Sequence, residues 1–106
     1  MELRIEKTTS KKPKPDPKNL SFGNYYTDHM VMMDYMEGKG WYDPRIVPYA
    51  PLSMDPACAV LHYGQATFEG LKAYYGKNGE VLLFRPEKNM ERMNISNERM
   101  CIPQFD

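Results

Sequence analysis

Apolar positions along this chain fall in short runs, and glycine and proline cut them into elements. From Ser21 onward, Tyr25, Thr27, His29, Val31 and Met33 alternate with Tyr26, Asp28, Met30, Met32 and Asp34. The second half of this stretch becomes nearly all apolar, as in a strand covered on both faces. A strand is predicted from about Tyr25 to Tyr35, with a turn at Glu37–Gly40. Trp41–Asp43 leads to a second extended piece around Arg45–Pro51, where Pro44, Pro48 and Pro51 argue for an edge or a looped path and against a central strand.

Ser53-Met54-Asp55-Pro56 has the form of a helix entry, with Asp55 or Ser53 as cap and Pro56 near the first helical position. Only a short helix, about Ala57–Tyr63, fits before Gly64. Leu71–Tyr75 and Val81–Phe84 flank Gly76-Lys77-Asn78-Gly79, and Asn78-Gly79 favours positive φ, so a hairpin is predicted there. Pro86 opens a helix, with Glu87 in its first turn where the dipole favours an acid. Met90, Met93, Asn97 and Met100 follow helical spacing, and Pro103 ends the run. Arg85, Arg92 and Arg99, seven apart, fall close to one face, which by itself reads as a solvated basic stripe beside Glu91 and Glu98. The fold class expected is α+β, antiparallel strands with a C-terminal helix.

Residues 1–20 break the pattern. Lys11–Lys18 places a proline at every second position, which removes donors and pushes each preceding residue toward extended geometry. The segment is expected to be an extended, mobile tail unless it packs on something. It carries six Lys/Arg against three acids, a net of +3 in a chain whose formal charge is zero, so residues 21–106 sit at −3. That balance gives no general attraction to nucleic acid. No apolar run approaches the length of a membrane span, and the charged N-terminus is not a secretory signal. A length of 106 residues bounds the chain to one domain with a modest core. Cys58 and Cys101 lack CxxC or metal-ligand spacing and read as two reduced, packed thiols, with a bridge between them as the open alternative. There is no repeat, no phosphate-cradling glycine motif and no cluster with metal spacing.

The densest chemistry lies in Leu61–Tyr74. Tyr63, Gln65, Thr67 and Phe68 follow one another between glycine breaks at Gly64 and Gly70. Polar groups set this closely between apolar runs suit a pocket wall, where apolar surface shapes a ligand and a few polar groups orient it.

Tyr63-Gly64-Gln65 with Phe68-Glu69-Gly70-Leu71-Lys72-Ala73-Tyr74 resembles a signature near the N-terminus of branched-chain amino acid aminotransferases. Thr27-Asp28-His29-Met30 upstream and Leu83–Met93 downstream resemble the same family in the same order, so the resemblance runs from about Phe22 to Asp106. These are class IV pyridoxal-phosphate enzymes of the D-amino-acid-aminotransferase-like fold. The resemblance implies that residues 21–106 are part of the small N-terminal domain. It also implies a dimeric, cytoplasmic enzyme moving the amino group of leucine, isoleucine or valine to 2-oxoglutarate.

Asn89-Met90-Glu91-Arg92-Met93 matches the segment whose arginine binds the cofactor phosphate in that family, which assigns Arg92 to that contact. A guanidinium suits it, being a rigid fork of donors charged at any working pH. The family's pocket residues map onto Tyr63 and Phe68, for which ordinary core aromatics are the plain alternative, and Phe22 and Tyr26 resemble further pocket aromatics of the family. An aromatic wall suits a branched aliphatic side chain, and a phenol adds a hydrogen-bonding handle. His29 and His62 read as structural, and Glu69 as a buried hydrogen-bond partner beside Gly70. Lys72 is rejected as a Schiff-base lysine, because alternation in its strand sets it opposite Leu71 and Ala73. The family's catalytic lysine lies beyond residue 106, so this stretch is expected to hold no cofactor covalently. The alternative is a non-catalytic truncated paralogue serving as an interaction module.

Overall fold

A computed structural model describes residues Met1–Asp106 and divides the chain into two units, Met1–Ser53 and Met54–Asp106. Strands and a long C-terminal helix make it α+β. No hydrophobic side chain is fully buried in either unit; the one buried residue is Asn97.

The first unit is a three-stranded sheet of β1 (Arg4–Ile5), β2 (His29–Met36) and β3 (Gly40–Pro48). β2 and β3 form an antiparallel hairpin whose turn is closed by the Lys39 N–H donating to the Met36 carbonyl at 3.0 Å. Gly38 there takes a φ of +82°, open to glycine at no steric cost. Tyr35 meets Trp41 edge to face across the pair, with centroids 5.3 Å apart.

β3 is the central strand, which corrects the edge assignment drawn from its prolines. Pro44 escapes through a bulge: the register passes from Met32↔Arg45 to Asp34↔Tyr42, so two residues of β3 oppose Met33. Asp43, at φ +49°, absorbs the extra residue. Pro48 escapes through alternation. The Tyr49 N–H donates to the Asp28 carbonyl at 2.9 Å, which makes Pro48 a position whose backbone faces away from β2. On that other side β1 pairs only with Arg45 and Ile46, so no donor is asked of Pro48. A proline is excluded from a central strand only where the neighbour its nitrogen faces needs an N–H.

β2 begins at His29, not Tyr25. The residues before it are engaged by the N-terminal segment. The Asp28 carboxylate accepts the Lys12 N–H at 2.9 Å, and His29 Nε2 accepts the Thr8 N–H at 2.9 Å. The Lys12 ammonium also lies 4.5 Å from the Tyr49 ring centroid. The Lys/Pro stretch thus packs, and β1 adds a parallel edge to β3. Arg45 holds the bulge together: its guanidinium, largely covered, pairs with Asp34 and Asp43, and the Asp34 bond raises its pKa further.

The second unit holds α1 (Ala59–Tyr63), the hairpin β4 (Ala73–Tyr75) with β5 (Val81–Leu83), and α2 (Pro86–Arg99). α1 starts later than expected because Asp55 caps a preceding turn: its carboxylate takes the Ala57 N–H at 2.7 Å and its carbonyl the Cys58 N–H. Gly64, at φ +61°, ends α1 with its N–H on the Ala59 carbonyl. The hairpin forms where Asn78-Gly79 places it. A turn closed from the Gly79 N–H to the Gly76 carbonyl is followed by Gly79 at φ +82°, and the Gly76 N–H reaches the Glu80 carbonyl. Cys58 and Cys101 are both free thiols, and Cys101 is exposed, so only Cys58 fits the packed expectation.

Candidate functional site

Between Gly64 and Gly70 the chain is extended, and its side chains alternate. Gln65, Thr67 and Glu69 are half-covered, while Ala66, Phe68 and Gly70 are exposed. The covered set is polar because it meets polar groups on α2. The Gln65 amide donates to the Met100 carbonyl at 2.8 Å, Thr67 Oγ1 donates to Asn97 Oδ1 at 2.6 Å, and Glu69 accepts from Asn89 and Arg92. The rungs run backwards along the helix, from its C-terminal end at residue 100 to its first turns at residue 89. The segment therefore lies antiparallel to α2. The covered positions of α2 are Pro86, Asn89, Met93, Asn94, Ser96 and Asn97, so of the helically spaced Met90, Met93, Asn97 and Met100 the first and last stay exposed.

Asn97 is fully covered and satisfied. Its Oδ1 accepts from Thr67 and its Nδ2 donates to the Pro103 carbonyl at 3.3 Å. Asn94 does the same for the C-terminal residues: Nδ2 donates to the Phe105 carbonyl at 2.7 Å and Oδ1 accepts the Phe105 N–H at 2.8 Å.

Arg92 and Glu69 form the charged end of this ladder. Arg92 Nε donates to Glu69 Oε2 at 2.7 Å, and Arg92 Nη2 donates to Oε1, a bidentate pair. Oε1 also accepts the Gly70 N–H and Asn89 Nδ2, each at 3.0 Å. With these donors around it, the Glu69 carboxyl is held down to about pH 2, chiefly by Arg92 and next by Asn89. Its side chain is 6% exposed, that of Arg92 68%. The guanidinium is fixed along one edge and still has room for a second partner.

Two shallow hollows meet at Arg92. One, about 250 Å³, is lined by Phe68, Glu69, Gly70, Arg92 and Ser96. The other, about 240 Å³, is lined by Phe84, Arg85, Lys88, Asn89 and Arg92, three of them cationic. Of the residues singled out from sequence, Phe68 and Arg92 share a hollow. Tyr63 lines a separate one with Gln65, Arg99, Met100 and Cys101. Phe22 and Tyr26 belong to the first unit, where Tyr26 stacks on Tyr49 at 5.6 Å and lines a hollow with Tyr25 and Lys12–Pro15; Phe22 is wholly exposed. His62 Nε2 lies 2.8 Å from the Pro56 carbonyl, a structural contact. No group of three or more His, Cys, Asp or Glu side chains is placed to hold a metal ion.

Comparison with known proteins adds kinship to this geometry. The chain is 68% identical over 104 residues to branched-chain-amino-acid aminotransferase 2 of Bacillus subtilis and 60% identical to branched-chain-amino-acid transaminase 1 of the same organism. It is 54% identical to a probable branched-chain-amino-acid aminotransferase of Staphylococcus epidermidis.

The chain's relatives are branched-chain-amino-acid aminotransferases.

Each match covers 98% of this chain and 29% of the aminotransferase. No protein-family model matches the chain. No helix is long and apolar enough to cross a membrane.

Sequence reasoning singled out Arg92, which the structure pairs with Glu69, itself read as a buried hydrogen-bond partner. It missed Lys88 beside Arg92, and the Thr67–Asn97 rung. The period-two spacing of Gln65, Thr67 and Glu69 was the available signal for the ladder.

Proposed function

We propose that this chain supplies part of the cofactor and substrate site of a branched-chain amino acid aminotransferase, a cytoplasmic homodimer that passes the amino group of leucine, isoleucine or valine to 2-oxoglutarate. The observation that carries the reading is Arg92. Its guanidinium is held along one edge by Glu69, stays accessible, and lines a hollow with Phe68, in a chain 68% identical to such an aminotransferase. Kinship over nearly the whole chain favours this reading over a free-standing interaction module.

The residues fit pyridoxal phosphate in one respect that bears testing. Arg92, with Arg85 and Lys88 on the same hollow, offers a basic surface of a size suited to a phosphate group. When bound, that cofactor supplies the electron sink for negative charge at the amino acid α-carbon. This chain's part is to grip and to shape. Arg92 holds the phosphate, Phe68 gives apolar wall to a branched side chain, and Tyr63 gives wall and a hydroxyl. Phe22 and Tyr26, which belong to the first unit, are proposed as pocket aromatics on kinship alone.

The test uses a full-length aminotransferase carrying these 106 residues in place of its own matching stretch. Arg92→Ala is expected to weaken cofactor affinity at least about tenfold, the scale of one charge-assisted bidentate contact. Phe68→Ala is expected to raise KM for leucine and valine more than for 2-oxoglutarate. Cofactor affinity unchanged in Arg92→Ala would remove the basis of the reading. Residues 1–106 alone are expected to turn over no substrate, and borohydride is expected to fix no cofactor onto Lys72.

A further inference from the structure

A carboxylate placed against the arginine proposed to bind an anion needs explaining, because its charge opposes that of the anion. Glu69 is almost wholly covered, and burial of a charge is costly unless its oxygens find partners. Here both do. Oε1 takes the Gly70 N–H, Asn89 Nδ2 and Arg92 Nη2, and Oε2 takes Arg92 Nε. All these donors sit at the junction of the extended segment and α2. Asn89 Nδ2 also donates to the Gly70 carbonyl at 2.9 Å, so it braces both the carboxylate and the backbone next to it.

Such a group is a poor proton carrier, since both its oxygens accept from fixed donors and it stays ionised. It is well suited to orientation. An arginine side chain has four rotatable bonds, and a single anion on an otherwise free guanidinium must bear the entropy of ordering them. Glu69 bears that cost in advance by taking the Nε–Nη2 edge. It also cancels much of the bare charge, so that recognition at Arg92 depends on direction more than on net charge.

We propose that Glu69 is a positioning residue for Arg92, fixing one edge of the guanidinium so that the rest is presented to a phosphate group. Asn89 braces Glu69 in this role. The inference rests on the reading of Arg92 as the phosphate contact, and it goes beyond it by assigning the residue that sets the contact's geometry.

The experiment compares pyridoxamine phosphate with pyridoxamine in the full-length chimera, by calorimetric titration. The ratio of the two dissociation constants reads the phosphate contact alone; a general loss of structure weakens both ligands and leaves the ratio standing. Glu69→Gln, close to isosteric, and Glu69→Ala are each expected to lower the ratio by about tenfold. In an Arg92→Ala background the same Glu69 changes are expected to leave it unmoved, because Glu69 acts through Arg92. If Arg92→Ala lowers the ratio while both Glu69 variants keep or raise it, Glu69 is only a countercharge and the positioning role is overturned. If Arg92→Ala itself leaves the ratio unchanged, the phosphate reading falls first, and the positioning role with it.

Discussion

The two units hold themselves together by different means. In Met1–Ser53 the long-range order is carried by backbone ladders, β3 pairing with β2 on one side and β1 on the other. In Met54–Asp106 the only sheet is a three-by-three hairpin, and the extended segment is fastened to α2 by side chains: Gln65, Thr67 and Glu69 against Asn89, Arg92, Asn97 and the Met100 carbonyl. Neither has a fully buried apolar side chain to fall back on. A ladder of peptide groups tolerates side-chain change, because its bonds belong to the backbone. A ladder of side chains fails rung by rung.

The sharpest way to break that contrast is Asn97→Ala. It strips Thr67 and the Pro103 carbonyl of their partner at a fully covered position, at a cost of about 2 kcal/mol, offset by roughly 0.5 kcal/mol from alanine's better helix propensity. Hydrogen exchange should accelerate across residues 64–70 and 97–103 and stay as it was in β2 and β3. Equal acceleration in the sheet would mean the units are not separately held. Gly79→Ala comes next, at about 1 kcal/mol, because an L side chain is strained at φ +82°; its effect should be confined to β4 and β5.

Acid should sharpen the comparison further. The folded-state pKa of Glu69 lies below its unfolded value of about 4.3, so its stabilising contribution is full above that value and lost as pH falls toward about 2. Protection of the Arg92 Nε–H, followed by NMR, should fade over that window, and Glu69→Gln should remove the dependence. The smallest effect is expected from Lys12→Ala in the first unit. It forfeits a cation–π contact with Tyr49, about 0.5 kcal/mol at an exposed site, while the backbone N–H of residue 12 still reaches Asp28.

Local rules made the second unit's punctuation legible: Gly64 as the end of α1, Asn78-Gly79 as the hairpin turn, Pro86 as the start of α2. Each depends on what one or two residues can do with φ. The centrality of β3 was not legible, because whether Pro48 is tolerated depends on which neighbour its nitrogen faces, and that follows from register. The strand at Arg4–Ile5 was hidden by its brevity and by the prolines that follow it. The site divided along the same line. Arg92 could be picked out from Arg85 and Arg99 only by kinship to the aminotransferases, since spacing by seven treats all three alike. The Asn89 brace and the Thr67–Asn97 rung join residues 20 and 30 positions apart, beyond the reach of any periodicity.

Because Gln65, Thr67 and Glu69 face α2 while Ala66 and Phe68 face outward, the mooring and the substrate wall proposed at Phe68 fall on opposite sides of the same short ribbon. Substitutions at the outward positions are expected to leave the anchor in place. A library varied at residues 66 and 68 alone therefore tests whether Phe68 acts as the proposed substrate wall.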